Sequence, residues 1–278
     1  KWTEKKKIPT GRFRLASSTV NGKIYAIGGT ANNFEALATV EEYDPKTNTW
    51  TQKADMPTPR MALATVVVGG KIYAIGGASS FFFPSGAVEV YSPTTDIWTQ
   101  KADMLNPRWG LAAAAVFSKI YVFGGAVDQT HKTGSKIVEE YDTKTDTWTQ
   151  KTDLWLDVHG VSASFVNNGK IYVIGGQKWK GRGGVVVEDW GFYPTLAEYD
   201  PEKDTFEIKE DMPTARSYLG ASVVDGRIYA IGGWPGGAGG DRDKNEVYTA
   251  DGWPFPARFS VSPHGKLATT WVEIKRSQ

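Results

Sequence analysis

The sequence predicts an all-β fold, a ring of four-stranded antiparallel units, with six units favoured and five as the alternative. Three observations carry this. A near-identical phrase recurs five times: GKIYAIGG at 22–29 and 70–77, SKIYVFGG at 118–125, GKIYVIGG at 169–176 and GRIYAIGG at 226–233. The phrases end at Gly29, Gly77, Gly125, Gly176 and Gly233, giving steps of 48, 48, 51 and 57 residues, and each step carries strands and turns without a helix. Aromatic pairs seven residues apart follow in four units: Tyr43/Trp50, Tyr91/Trp98, Tyr141/Trp148 and Tyr199/Phe206. Four antiparallel strands per unit, repeated radially, make a β-propeller.

The second unit shows how one repeat is written. Residues 60–68 (RMALATVVV) are small and β-branched almost throughout, as a buried innermost strand requires. Gly69-Gly70 supplies a two-residue hairpin turn at positive φ. Its counterparts are Asn21-Gly22, Asn168-Gly169 and Asp225-Gly226, whereas the third unit has Phe117-Ser118. KIYAI follows as the second strand and ends at Gly76-Gly77, where a missing Cβ allows backbones to crowd. A third strand, AVEVYSP at 87–93, turns into a fourth, IWTQKA at 97–102. The paired aromatics on these outer strands are read as the core between neighbouring sheets.

The termini indicate how the ring closes. Lys1-Trp2-Thr3-Glu4-Lys5 matches the fourth-strand phrase TWTQK, so the N-terminus is expected to supply a fourth strand to the last unit. After the fifth unit, Pro256-Ala257-Arg258 resembles Pro213-Thr214-Ala215-Arg216, and His264-Gly265-Lys266 resembles a turn and the start of a second strand. Residues 254–278 then make a shortened sixth unit. In the five-unit alternative, they form a packed tail.

The glycine pair after a hydrophobic strand, the tyrosine beyond it and the tryptophan seven residues further on resemble the kelch repeat. The resemblance extends over nearly the whole chain and implies one kelch-type propeller domain, 1–278. In kelch domains of ubiquitin-ligase adaptors, arginines at matching positions hold acidic peptides. The resemblance therefore points to Arg12, Arg60, Arg108, Arg216 and Arg258. It also brings in two enzymes. The copper oxidase resembling galactose oxidase needs a cysteine, and this chain has none. A sialic-acid mutarotase needs no metal. By analogy with it, Glu188 and Asp189 would be the acid–base candidates here.

Composition removes other classes. The 278 residues include 32 basic and 31 acidic side chains, so no global field attracts nucleic acid or an anionic membrane. No apolar run has the length of a transmembrane helix, and no signal-peptide pattern precedes Lys1. Zero cysteines exclude disulfides, thiolate metal sites and cysteine nucleophiles, and choose no compartment. His131, His159 and His264 stand in separate units without metal-ligand spacing. Asp241-Arg242-Asp243-Lys244-Asn245 begins like a calcium loop but lacks the glycine and glutamate that such a loop needs. No metal and no cofactor are expected.

Strand alternation puts the second-to-third and fourth-to-first connections on one face, and these connections hold all the variety. Counting eleven residues back from the basic residue opening each second strand reaches Arg12, Arg60, Arg108, His159 and Arg216, with Arg258 as a sixth. Each stands where the chain reaches the innermost strand, at the mouth of the central channel. Two roles are open to them: hydrogen bonding to loop carbonyls of the blades, or recognition of carboxylates. The second loop contains Phe81, Phe82 and Phe83, which either fold over the blade top or form the apolar wall of a pocket. The fourth, at 177–194, carries Lys178, Trp179, Lys180 and Arg182, a set offering cations beside an aromatic ring, and the fifth opens with Trp234.

The expectation is a monomeric, non-catalytic binding module. It takes an acidic peptide, a protein or a small anionic ligand such as an anionic carbohydrate, through Arg12, Arg60, Arg108, His159, Arg216, Arg258, Phe82, Trp179, Lys180, Arg182 and Trp234. A cofactor-independent sugar-modifying enzyme and a scaffold with an inert channel are the alternatives.

Overall fold

The computed structural model describes residues 3–32, 34–130, 132–166, 169–179, 190–235 and 245–249. The first blade is β1 (Ala16–Val20), β2 (Lys23–Ile27), β3 (Val40–Asp44) and β4 (Thr49–Gln52). The second is β5 (Ala64–Val68), β6 (Lys71–Ile75), β7 (Val88–Ser92) and β8 (Ile97–Gln100). The third is β9 (Ala112–Val116), β10 (Lys119–Phe123), β11 (Val138–Asp142) and β12 (Thr147–Lys151). The fourth begins with β13 (Ser162–Val166) and β14 (Lys170–Ile174). It next forms a ribbon of β15 (Gln177–Trp179) and β16 (Trp190–Phe192), then resumes with β17 (Leu196–Asp200) and β18 (Thr205–Ile208). The fifth has β19 (Gly220–Val224), β20 (Arg227–Ile231) and β21 (Asn245–Thr249).

Every blade is an antiparallel meander in chain order, and the innermost strands β1, β5, β9, β13 and β19 pack side by side in sequence. Among the described residues there are five blades, the count of the alternative and not the favoured six. Residues 254–278, assigned to a sixth blade from the sequence, lie outside them.

Two local expectations change. The strand read at 60–68 begins only at Ala64, because Ala62 adopts φ +51° and turns the chain before the ladder starts. The fourth turn, read as Asn168-Gly169, lies partly outside the described residues, but Val166 pairs with Lys170, so the strands are separated by one residue more than in the other hairpins. The other turns follow the reading: Gly69 and Gly70 both hold positive φ, as do Asn21 with Gly22 and Asp225 with Gly226.

Packing between blades is apolar and repetitive. Val20, Tyr25 and Ile27 of the first blade bury against Ile72, Ala74 and Tyr91 of the second, and the same pattern recurs at the next interface. A polar latch fastens the outer edge. Tyr91 donates its hydroxyl to Asp96 Oδ1 at 2.6 Å, and the same oxygen accepts from the Ala54 amide of the preceding connection at 2.9 Å. Trp98 Nε1 donates to the Ala54 carbonyl at 2.9 Å. Tyr141, Asp146, Trp148 and Ala102 repeat the motif. The first blade repeats it with Asn48 in place of the aspartate, and with Lys6 in the place of Ala54. Lys6 thus takes the place that Ala54 and Ala102 hold at the following interfaces, and the fourth strand expected from residues 1–5 is not among the described strands.

Candidate functional site

The approach to each innermost strand follows one rule. Arg12-Phe13-Arg14-Leu15, Arg60-Met61-Ala62-Leu63, Arg108-Trp109-Gly110-Leu111, Val158-His159-Gly160-Val161 and Arg216-Ser217-Tyr218-Leu219 are equivalent. Their second members form isolated bridges to the residue after each glycine pair: Phe13 to Thr30, Met61 to Ala78, Trp109 to Ala126, His159 to Gln177 and Ser217 to Trp234. Their third members all take left-handed φ, between +51° and +64°. The third members also bond head to tail around the channel. The Ala62 amide donates to Arg14 O, Gly110 to Ala62 O, Gly160 to Gly110 O and Tyr218 to Gly160 O, at 2.7 to 2.8 Å.

The first members behave uniformly where they are arginine. Arg12, Arg60, Arg108 and Arg216 have side chains wholly removed from solvent. Each sets Nη2 against a third-strand glutamate of its own blade: Arg60, Arg108 and Arg216 donate to Glu89 at 2.7 Å, Glu139 at 2.6 Å and Glu246 at 2.9 Å, whereas Arg12 forms an ion pair with Glu41 at 2.9 Å and donates Nη2 to the Ala26 carbonyl at 3.0 Å. Arg60 Nη1 also donates to the carbonyls of Ala74, Gly76 and Ala87. Burial pulls all four guanidinium pKa values down and the glutamates push them back up. These four side chains therefore stitch their blades together beneath the mouth and present no exposed surface there.

His159 is not the fourth member of this set. The extra residue in the fourth hairpin shifts the count by one, and Val158 holds the arginine position. The Gly125 amide donates to Val158 O just as Gly29, Gly77 and Gly176 donate to Arg60, Arg108 and Arg216. The partner changes with it: Ala197 stands opposite Val173 where Glu41, Glu89, Glu139 and Glu246 stand opposite the matching second-strand residues. Leu156 likewise replaces Thr10, Thr58 and Asn106, whose side chains bond the glutamates. The blade has exchanged a whole buried ionic cluster for an apolar one, which preserves stability where loss of a single partner would not.

Above the arginines lies a cavity of about 670 Å³ at the channel mouth. Its rim consists of the head-to-tail residues, small on one side (Ala62, Gly110, Gly160) and large on the other (Arg14, Tyr218). Tyr218 lies over Gly160, where an added Cβ would stand 3.1 Å from the ring. Burial pushes the Tyr218 hydroxyl pKa up, against the lowering effect of Arg14. Burial in turn pulls the Arg14 guanidinium down, and Tyr218 acts on it in the opposite sense. The guanidinium carbon of Arg14 sits 4.6 Å from the centroid of Phe82, and its Nη1 is buried without a hydrogen-bond partner.

Phe82 joins the site from the 3-10 turn Ser80–Phe82, where both Phe81 and Phe82 hold left-handed φ. That geometry turns Phe82 inward onto Trp109, centroids 5.3 Å apart, and leaves Phe81 and Phe83 exposed. Trp234 also lines the cavity and packs edge-on against Phe192 at 5.2 Å. Beside it runs a buried polar chain. Ser217 Oγ donates to Gln177 Oε1 at 2.6 Å, and Gln177 Nε2 donates to His159 Nε2 at 2.9 Å.

Of the residues singled out from the sequence, the structure brings Trp234 to the cavity wall, Phe82 against Arg14, and His159 against Gln177. It places Arg12, Arg60, Arg108 and Arg216 in the blades. Trp179 ends β15, and Lys178 beside it bonds Asp157. Lys180, Arg182, Glu188, Asp189 and Arg258 lie outside the described residues. Sequence reading missed Arg14, Tyr218 and Gln177. The first two carry a signal: they occupy one of the two positions that vary freely between a repeated arginine and a repeated leucine.

The comparisons with known proteins agree on the fold. The solved structure described as "Structure of YjhT" superposes with a TM-score of 0.79 at 19% identity, covering 91% of this chain and 86% of that one. At that identity the likeness speaks for the propeller architecture alone. No curated protein matches the sequence. The family model described as Attractin/LZTR1 beta-propeller matches residues 1–180, well over half of the chain. With the repeat, the blades and that match in agreement, the chain belongs to the Attractin/LZTR1 beta-propeller family.

Proposed function

We propose that this propeller binds a small anionic ligand, a carboxylate above all, in the cavity at its channel mouth. One observation carries the reading: Arg14 lines the cavity and holds a buried Nη1 with no hydrogen-bond partner. Buried donors are ordinarily satisfied, and an unpartnered guanidinium nitrogen on a side chain that lines the pocket invites an acceptor from the ligand. The volume of about 670 Å³ suits a small molecule better than a folded partner. Phe82 fixes the guanidinium from behind, so little side-chain freedom remains to be lost on binding.

The role first considered for the ring arginines passes to Arg14, two residues beyond Arg12. Calorimetric titration with acetate-bearing probes, against wild type and Arg14→Met, tests this. A charge-assisted bond of about 1.5–3 kcal/mol predicts a loss of roughly ten- to a hundredfold in affinity. Equal affinity in the two proteins would remove Arg14, and with it the proposed site.

A further inference from the structure

We propose that the body of the ligand is apolar: the site takes an aliphatic or aromatic monocarboxylate and disfavours a polyhydroxylated sugar acid. This rests on the anion-binding reading above and deepens it. Each blade contributes one largely buried aliphatic residue to the cavity lining, Leu15, Leu63, Leu111, Val161 and Leu219, directly after its rim residue.

The rim backbone has little hydrogen-bonding capacity to spare. The amides of Ala62, Gly110, Gly160 and Tyr218 are consumed by the carbonyls of Arg14, Ala62, Gly110 and Gly160. Gln177 is committed at both ends of its amide, to Ser217 and to His159. Among the described lining residues this leaves Arg14 and the Tyr218 hydroxyl as the polar anchors beside the indole of Trp234. A sugar acid would bury several hydroxyls with too few partners, which costs free energy for each one left unmade. An apolar body instead gains by leaving water for the leucine wall.

Calorimetry on the full chain with 4-phenylbutyrate, 4-phenylbutan-1-ol and glucuronate separates the possibilities. The expected result is 4-phenylbutyrate binding at least tenfold more tightly than either other probe, with a negative heat-capacity change. Glucuronate binding as tightly as 4-phenylbutyrate would overturn the apolar body and leave the anion site standing. Equal binding of 4-phenylbutan-1-ol would overturn the anion site and leave the apolar wall. No binding by either acid would overturn both.

Discussion

Val158 and Ala197 occupy, in the fourth blade, the two positions that Arg60 and Glu89 fill in the second. The chain thus contains its own comparison between a buried ion pair and an apolar substitute. Arg60→Val or Glu89→Ala alone strands a buried charge and is expected to cost about 3–5 kcal/mol. The double change Arg60→Val with Glu89→Ala, copying the fourth blade, should recover much of that loss. Full recovery is not expected, because Arg60 also serves three carbonyls. Urea unfolding of the two singles and the double closes the cycle, and a double mutant as unstable as the sum of the singles would contradict it.

Acid should loosen the outer latch. Asp96 is held below its ordinary 3.8 by bonds from the Tyr91 hydroxyl and the Ala54 amide, and Asp146 by those from Tyr141 and Ala102. Asp204 is also lowered: burial raises it, but bonds from Thr152 and Tyr199 outweigh that effect. A carboxyl whose folded pKa is depressed contributes stability that is complete above its unfolded value and fades as pH falls through the folded one. Stability conferred by the latch is therefore expected to drop below 3.8. Asn48 makes the same two bonds without titrating. The triple variant Asp96→Asn, Asp146→Asn, Asp204→Asn should accordingly show a flatter melting temperature across the acid range.

Two glycines separate backbone strain from collision. Gly22 has φ +74° with open space around it, so Gly22→Ala should cost only the left-handed penalty of about 1–2 kcal/mol. Gly28 has φ +64°, and a Cβ there would stand 2.3 Å from the Arg60 carbonyl, so Gly28→Ala must also displace the approach to the second blade. Chemical denaturation should rank Gly28→Ala well below Gly22→Ala. Equal stabilities would mean that the approach moves freely.

The consecutive left-handed phenylalanines make opposite predictions. Phe81 is 61% exposed and held at φ +59°, so Phe81→Asn, which tolerates that conformation, should be neutral or stabilise by up to about 1 kcal/mol. Phe82 packs on Trp109 and Arg14, and Phe82→Asn should destabilise and weaken anion binding together. Thermal melts with and without a bound carboxylate read both effects.

The blades were legible because their signals are local. Glycine pairs, hairpin turns at positive φ and seven-residue aromatic spacing each act within one unit, and repetition averages out exceptions. The site was less legible because spacing locates a Cα and does not say which way a long side chain runs. Arg60 reads equally well as a channel cation or as a partner for Glu89. The deciding clue was the glutamate two residues before Tyr43, Tyr91, Tyr141 and Tyr248, missing only before Tyr199. His159 was misaligned by one extra hairpin residue, and only the pairing of Val166 with Lys170 exposes it. Arg14 and Tyr218 evaded a search for repeats by being what the repeats do not share.

The head-to-tail amide chain has an engineering consequence. Its members hold one backbone shape whether the side chain is arginine, alanine, glycine or tyrosine, and their bonding runs through the main chain alone. Positions 14, 62, 110, 160 and 218 therefore act as a set of interchangeable sockets around a fixed rim. A combinatorial library restricted to those five codons would vary what the mouth recognises and spare the framework that holds it open.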